Sequence, residues 1–148
     1  MDWESYMAQA LALARKAAQL GEIPVGALVV KDGVIVGRGY NRRETDRDAT
    51  AHAEMLAIRE ACQTLGTWRL NGCTLFVTLE PCPMCTGAIL QSRVGQVIFG
   101  AFDPKAGCCG SLLSLTEEPF DSHPVLYGGV LEEECAQMLR SFFDGLRP

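Results

Sequence analysis

The stretch Cys73–Ala101, CTLFVTLEPCPMCTGAILQSRVGQVIFGA, contains two β-rich runs separated by a helical segment. Residues 73–80 are rich in β-branched and aromatic side chains and predict a strand, and residues 96–101 predict another. Between them, residues 81–94 favour a helix with proline in its first turn. Strand, helix and strand in this order are typical of an α/β fold.

The flanking sequence extends this unit to a larger sheet. Two apolar runs, 25–30 and 34–40, are joined by Lys31-Asp32-Gly33, and Asp-Gly is typical of a hairpin turn. Residues 125–130, VLYGGV, predict a fifth strand. A hairpin combined with a strand–helix–strand unit predicts a layered α/β domain with a mixed sheet.

Three further helices are predicted from apolar residues at helical spacing. The first follows Asp2 as its cap and ends at Gly21, and the second follows Thr50 as its cap and ends at Gly66. The third follows the fifth strand. Their expected buried residues are Met7, Leu11, Ala14 and Ala18 in the first, Met55, Ile58, Cys62 and Leu65 in the second, and Leu131, Cys135, Met138 and Phe142 in the third.

The composition indicates one globular domain over residues 1–148. No apolar run is long enough to span a bilayer, and the acidic N-terminus lacks the features of a signal peptide, so we expect a cytoplasmic protein. Seven cysteines without an export signal favour reduced thiols or metal ligands over disulfides. The net charge of −5 argues against broad nonspecific nucleic-acid binding, although it leaves room for a local site.

Cys82 and Cys85 lie three positions apart at the start of the predicted helix 81–94, so both thiols can reach one metal ion. A helix N-terminus also favours the thiolate form that a metal requires. Three interpretations of this pair are open: a redox pair, half of a structural zinc site, and the thiolate part of a catalytic metal site.

His52 and Glu54, in TAHAEM, favour the catalytic metal site. Residues two apart in a regular helix point about 200° away from each other. Both can therefore reach one centre only if His52 lies at the entry of the second helix. His52, Cys82 and Cys85 then give zinc three protein ligands and leave a fourth position for water.

A closed structural zinc site would need a fourth protein ligand, for which His123, Cys108 and Cys109 are the candidates. In the open site, one zinc ion per subunit would lower the pKa of a water molecule to about 7. Glu54, which is not a ligand, would then transfer protons between this water and the substrate. The pattern H-x-E followed by P-C-x-x-C is the signature of zinc deaminases.

Further blocks make the chain resemble the bacterial tRNA-specific adenosine deaminases over nearly its whole length. The blocks are EIPVGALVV, GYNRRE, TAHAEM, TLEPCPMCTGAI, SRVGQVIFGAFDPKAG and GGVLEEEC. The resemblance implies a cytidine deaminase-like three-layer sandwich, with a mixed five-stranded sheet between helices. It also implies a homodimer and a tRNA anticodon stem-loop whose wobble adenosine is deaminated to inosine.

By the same resemblance, Asn41 would hydrogen-bond the target nucleotide and Asp103 would bind a ribose hydroxyl next to it. From the residues alone, a turn residue is the favoured interpretation of both, because asparagine and aspartate are typical of turns. Arg42, Arg43, Arg47 and Lys105 are candidate phosphate contacts, although neighbouring carboxylates favour a solvated loop for the three arginines.

Two features depart from the family pattern. The tail SFFDGLRP, residues 141–148, lacks the clearly basic helix that often contacts RNA, and its two phenylalanines are expected to pack in the core or to stack on bases. Cys108 and Cys109 stand where small residues without thiols are usual.

Other functions stay open at this point. Guanine deaminases carry a similar EPCPMC block, so a deaminase of free bases or nucleosides, guanine or cytidine, is the second enzyme hypothesis. A zinc-stabilised binding module without activity is a third hypothesis. A thiol oxidoreductase is the weakest, because it gives His52 and Glu54 no role.

Overall fold

A computed structural model describes residues 1–146 of the chain. Ten elements follow one another: α1 (Trp3–Gln19), β1 (Gly26–Lys31), β2 (Val34–Tyr40), α2 (Ala53–Leu65), β3 (Cys73–Leu79), α3 (Pro83–Ser92), β4 (Gln96–Ala101), a 3₁₀ turn (Leu115–Glu117), β5 (Val125–Gly128) and α4 (Glu132–Gly145). No helix among these residues combines the length and the apolar character needed to cross a membrane.

The five strands form one mixed sheet in the order β2-β1-β3-β4-β5. β1 pairs antiparallel with both β2 and β3, whereas β3, β4 and β5 run parallel. In the β1–β2 connection, Asp32 and Gly33 have φ angles of 50° and 77°, the left-handed conformation of a two-residue hairpin turn. The predicted hairpin, the strand–helix–strand unit and the mixed sheet are thereby confirmed.

Helices cover both faces of this sheet, which confirms the three-layer sandwich. On one face of the sheet, α2 and α3 pack over strand side chains that include Val29, Leu75 and Val97. On the opposite face, α1 and α4 pack over Leu28 and Phe76. Alternation along each strand therefore supplies two separate apolar cores.

The buried stripe of α2 differs from the predicted one. Of the four predicted residues only Ile58 is buried, and Ala53, Ala57 and Ala61 form most of the contact with the sheet. The cause is β2, where a Cβ added to Gly37 would lie 2.2 Å from the Ala57 carbonyl oxygen. Glycine opposite alanine lets the helix backbone approach the strand, so small residues occupy the closest contact.

Two helix starts also lie later than predicted. The N-cap of α2 is His52 and not Thr50, whose hydroxyl donates a hydrogen bond to Asp48 at 2.7 Å instead. α3 begins at Pro83 with Cys82 as its N-cap, rather than at residue 81. Both shifts have the same effect, since they leave a predicted metal ligand in extended backbone at the start of a helix.

Candidate active site

The starts of α2 and α3 bring His52, Cys82 and Cys85 together. His52 Nδ1 lies 3.6 Å from Cys82 Sγ and 3.5 Å from Cys85 Sγ, and the three ligand atoms lie within 4.8 Å of one another. In a tetrahedral zinc site, zinc lies about 2.3 Å from sulfur and about 2.0–2.1 Å from nitrogen, so the sulfur and nitrogen atoms lie about 3.6 Å apart. The donor set and its spacing therefore fit zinc.

The local backbone explains why these side chains converge. His52 and Cys82 have extended conformations, with ψ angles of 152° and 177°, and neither side chain caps its own helix. Each side chain can therefore point away from its helix axis. Cys85 lies one turn into α3 and is fully buried beneath them.

Within residues 1–146, no fourth side chain joins this cluster. The three candidates for a closed site make other contacts. His123 Nδ1 lies 3.0 Å from the Thr116 carbonyl oxygen, the Cys108 thiol donates to Ala106, and Cys109 Sγ lies 3.7 Å from Thr86 Oγ1. The geometry therefore favours the open site over the closed one.

The electrostatics of the thiols also suit a metal. A hydrogen bond from the Cys85 thiol, against the opposing effect of burial and with a contribution from His52, lowers the pKa of Cys82 to about 4. The same hydrogen bond and burial raise the pKa of Cys85. The hydrogen bond between the two thiols therefore favours the thiolate form of Cys82, and a metal ion has to displace the proton of Cys85.

Glu54 lies in the first turn of α2 and is only 4% exposed. Burial, reinforced by the negative charge of Cys82, raises the pKa of its carboxyl to about 7. A carboxyl group with such a pKa exchanges protons readily near neutral pH, as a general acid and base must.

A cavity of about 520 Å³ opens above the cluster. Glu54, His52 and Cys82 lie at its base. Its walls come from the loop that follows β2, from the loop that follows β4, and from the end of α4. The other lining residues are Gly21, Glu22, Ile23, Val25, Asn41, Arg43, Glu44, Leu79, Glu80, Asp103, Ala106, Phe142, Phe143 and Leu146.

The structure brings both predicted substrate-binding residues to this cavity. Asn41 is 8% exposed; its Oδ1 accepts a hydrogen bond from the Ala53 N–H at 2.9 Å, and its Nδ2 donates to the Ile23 carbonyl at 3.0 Å. Asp103 Oδ1 accepts from the backbone N–H groups of Lys105 and Ala106. Asp103 therefore has the local contacts typical of a turn, whereas Asn41 joins segments distant in the chain, and both lie in the cavity wall.

Two of the candidate phosphate contacts, Arg42 and Arg43, differ in whether a carboxylate already pairs with them. Arg42 forms an ion pair with Asp46 at 3.0 Å, which occupies its guanidinium. Arg43 is exposed, lines the cavity and forms no ion pair within the described residues. The arginine loop is thus only partly neutralised by its own carboxylates.

The phenylalanine pair of the tail lies at the cavity. Phe142 is partly buried and Phe143 is 45% exposed, their ring centroids are 5.5 Å apart, and both line the cavity. The expectation of core packing is therefore wrong for Phe143. Arg147 and Pro148, the last two residues of the tail, lie outside the described residues.

Two buried carboxylates at the cavity, Glu22 and Glu80, were missed by the sequence reasoning. Glu22 accepts hydrogen bonds from the Glu44 and Thr45 N–H groups and from the Thr45 hydroxyl. Their only signal is position, because each lies within a block of the family resemblance, Glu22 in EIPVGALVV and Glu80 in TLEPCPMCTGAI. A buried glutamate and a solvated one look alike in a single sequence.

Comparison with known proteins agrees with this site. The family model of the cytidine and deoxycytidylate deaminase zinc-binding region matches residues 1–101. A tRNA-specific adenosine deaminase of Bacillus subtilis (strain 168) is 57% identical over 145 residues, which are 97% of this chain and 90% of that protein.

Solved structures give the same picture. One comes from biochemical and structural studies of A-to-I editing by tRNA:A34 deaminases at the wobble position of transfer RNA. It is 42% identical with a TM-score of 0.87, and the match covers 91% of this chain and 99% of that one. A guanine deaminase from Bacillus subtilis is 34% identical with a TM-score of 0.67, covering 97% and 95%.

Proposed function

The chain belongs to the cytidine and deoxycytidylate deaminase family, and we propose that it hydrolytically deaminates the wobble adenosine of a tRNA anticodon loop to inosine. It is a zinc-dependent hydrolytic deaminase. The observation that carries the choice of substrate is the 57% identity to a tRNA-specific adenosine deaminase over 97% of the chain.

In this proposal His52, Cys82 and Cys85 hold the zinc ion. Bound there, zinc supplies Lewis-acid activation of a water molecule. Glu54 takes one proton from that water and delivers it to the ring nitrogen beside carbon six of adenine. The water oxygen would bond to carbon six, Glu54 would carry the remaining proton of that new hydroxyl group to the amino group, and the C–N bond would break, so that adenosine and water give inosine and ammonia.

The cavity walls support a substrate larger than a free base. Arg43 offers a cation to a phosphate group, and the exposed Phe143 offers a surface on which a base can stack. Asn41 is proposed to hydrogen-bond the target nucleotide and Asp103 a ribose hydroxyl next to it. Bases of an anticodon loop are already partly unstacked, so extruding one adenine costs little.

The broader frame of the proposal is one domain over residues 1–148 that works as a homodimer in the cytoplasm. The tRNA-specific relative supports the substrate. The homodimer and the location stay predictions, and light scattering of the purified protein would measure the first of them.

The test is inosine formation in an anticodon stem-loop with adenosine at the wobble position, run beside ammonia release from free adenosine, guanine and cytidine. The proposal expects product from the stem-loop only. Ammonia from free guanine would instead favour the second hypothesis, to which the guanine deaminase at 34% identity lends weaker support. Glu54→Ala protein serves as the blank.

A further inference from the structure

Glu80 is a buried carboxylate that has no part in the proposed chemistry. It directly follows β3, is 2% exposed and lines the cavity. No salt bridge reaches it within residues 1–146. A buried charge without a cation costs free energy unless hydrogen bonds compensate for the lost water.

Four hydrogen bonds provide that compensation, and all come from the loop after β4. Oε1 accepts from the backbone N–H of Asp103 at 3.1 Å and from the Ser111 hydroxyl. Oε2 accepts from the N–H groups of Cys109 at 3.1 Å and Ser111 at 3.0 Å. Glu80 therefore ties the first and last residues of the loop 103–111 to one carboxylate.

The loop wraps closely around this carboxylate. A Cβ added to Gly107 would lie 2.4 Å from Glu80 Cδ and 2.5 Å from the Asp103 carbonyl oxygen. The backbone at Gly107 thus approaches Glu80 more closely than any side chain allows. The close approach and the four hydrogen bonds make Glu80 the centre on which the loop is built.

Asp103 is consequently held in two ways. The Asp103 backbone N–H donates to Glu80, while Asp103 Oδ1 accepts from the backbone N–H groups of Lys105 and Ala106. Asp103 Oδ2 makes no hydrogen bond within the described residues. A fixed carboxylate with one oxygen unused is suited to accept a hydrogen bond from a substrate hydroxyl.

We propose that Glu80 is a positioning residue that sets Asp103 for the ribose next to the target adenosine, and so controls the preference for ribose over deoxyribose there. This rests on the proposed function. Charge-assisted hydrogen bonds from three backbone N–H groups fix the loop before substrate arrives. The free energy of ordering it is therefore not lost on binding.

Glu80→Gln tests the idea with little change of shape. Glutamine offers one acceptor oxygen, whereas Glu80 uses two. The Ser111 hydroxyl can rotate to accept from the new amide, but a backbone N–H cannot. The amide therefore faces Ser111, and the Asp103 N–H is the donor that loses its acceptor.

The experiment compares stem-loops that carry ribose or 2′-deoxyribose at the nucleotide next to the wobble adenosine. Inosine formation gives kcat and KM for the wild type, Glu80→Gln, Asp103→Asn and the double variant. In Glu80→Gln we expect KM for the ribose substrate to rise about 10-fold with a smaller change in kcat. We also expect the ribose-to-deoxyribose ratio of kcat/KM to fall toward that of Asp103→Asn, and the double variant to match Asp103→Asn.

Two further variants separate positioning from general stability. Thr74→Val removes a partly buried hydrogen bond to Gln96 at the other end of β3, so it should lower Tm without changing the ratio. Ser111→Ala keeps the Glu80 carboxylate and removes one donor, and should shift the ratio in the same direction by less. Ser111→Ala also serves if Glu80→Gln fails to fold.

Each outcome decides between the proposals. Three outcomes would overturn the positioning role and leave the proposed function in place. The first is an equal loss of kcat/KM on both substrates in Glu80→Gln, and the second is loss of zinc in that variant. The third is a double variant in which the kcat/KM effects of Glu80→Gln and Asp103→Asn multiply. A wild type that forms no inosine in the stem-loop overturns the proposed function itself, and the positioning role with it.

Discussion

α1 begins differently from the two helices that carry the site. At α1, the Asp2 side chain accepts a hydrogen bond from the Ser5 N–H at 3.1 Å and caps its own helix. At α2 and α3, the N-cap residues are His52 and Cys82, and neither makes a side-chain cap. All three helices have first-turn N–H groups without an intrahelical carbonyl partner, and at α1 the side chain of the N-cap residue accepts from one of them.

The difference shows what a metal site costs the helices that hold it. A side chain that caps a helix turns back onto its first turn, and a side chain that binds a metal must turn away. For α2, part of the lost stabilisation comes from elsewhere, since Asn41 Oδ1 accepts from the Ala53 N–H at 2.9 Å. The start of α2 therefore depends on a tertiary contact, whereas the start of α1 depends on its own sequence.

The largest effect is expected for Cys82→Ser, which exchanges a proposed metal ligand of α3 for a good N-cap residue. Zinc should be lost, and deamination should fall by more than the about 10⁴-fold that a single general acid or base supplies. In the presence of a chelator, however, the variant should exceed metal-free wild type in free energy of unfolding by about 1 kcal/mol. Zinc analysis and urea unfolding measure the two effects.

The matched control is Cys62→Ser, which changes a partly exposed cysteine in the last turns of α2. It should keep one zinc ion per chain and full activity. A Cys82→Ser protein that retains zinc, or whose metal-free form is less stable than metal-free wild type, contradicts the contrast between capping and metal binding.

Glu54→Gln should separate chemistry from metal binding at the start of α2. Glutamine has the size of glutamate but cannot accept the proton, so kcat should fall about 10²–10⁴-fold with zinc retained. Glu60→Gln, an exposed position on the same helix, is the control and should leave kcat unchanged. If Glu54→Gln kept a tenth of wild-type kcat, Glu54 would not be the proton carrier.

Asn41→Ala should reveal how far α2 depends on a remote cap. The change leaves the Ala53 N–H and the Ile23 carbonyl without their partners. We expect a loss of about 1–3 kcal/mol in free energy of unfolding, measured with urea. Asn41→Asp keeps the acceptor and loses the donor, so its loss should be smaller; an equal loss would argue against the cap.

Asp2→Ala is the corresponding change at α1, where the cap is local. Stability should fall by about 1 kcal/mol with kcat and KM unchanged, because α1 contributes no ligand to the site. Asp2→Ser should restore most of the stability by capping in the same way. A change in kcat for Asp2→Ala would show that α1 is coupled to the site after all.

The smallest effect is expected in acid, at the loop that leads to α2. Burial by itself would raise the pKa of Glu22, but hydrogen bonds from Thr45 and Glu44 outweigh it and lower the pKa below 4.5. The folded protein thus binds this proton less readily than the unfolded chain. The contribution of Glu22 is present above pH 4.5 and is lost as pH falls through its folded pKa.

Urea unfolding from pH 7 to pH 3.5 measures this contribution. Free energies of unfolding for the wild type should fall more steeply below pH 4.5 than those for Glu22→Gln, which has no carboxylate to protonate there. Parallel curves would mean that the hydrogen bonds to Glu22 do not distinguish its charged form.

Sequence reasoning reached the fold because the local signals agreed with one another. The Asp32-Gly33 turn, the proline in the first turn of α3 and the β-branched and aromatic residues of β3 each favoured one structure. The prediction from sequence was wrong where a contact with another segment of the chain decides the structure. The buried stripe of α2 depends on Gly37 and Gly39 in β2, and Thr50 does not cap α2 because its hydroxyl binds Asp48.

The site divides in the same way. His52, Glu54, Cys82 and Cys85 were recognisable because the chemistry requires those residue types at those spacings. Glu22 and Glu80 were not, since nothing in the chain indicates that a glutamate will be buried. For Phe143 the sequence left core packing and base stacking both open, and the end of α4 brings it to the cavity.

By itself, the sequence determined the order of strands and helices, the mixed sheet and the residues able to bind zinc, because these follow from periodicity, turn chemistry and ligand type. Only the tertiary structure decided which residue begins each site helix and which carboxylates become buried anchors of the cavity loops. Those outcomes depend on hydrogen bonds between segments far apart in the chain, such as Asn41 with Ala53 and Glu80 with Ser111. No local pattern encodes a partner that only folding brings into reach.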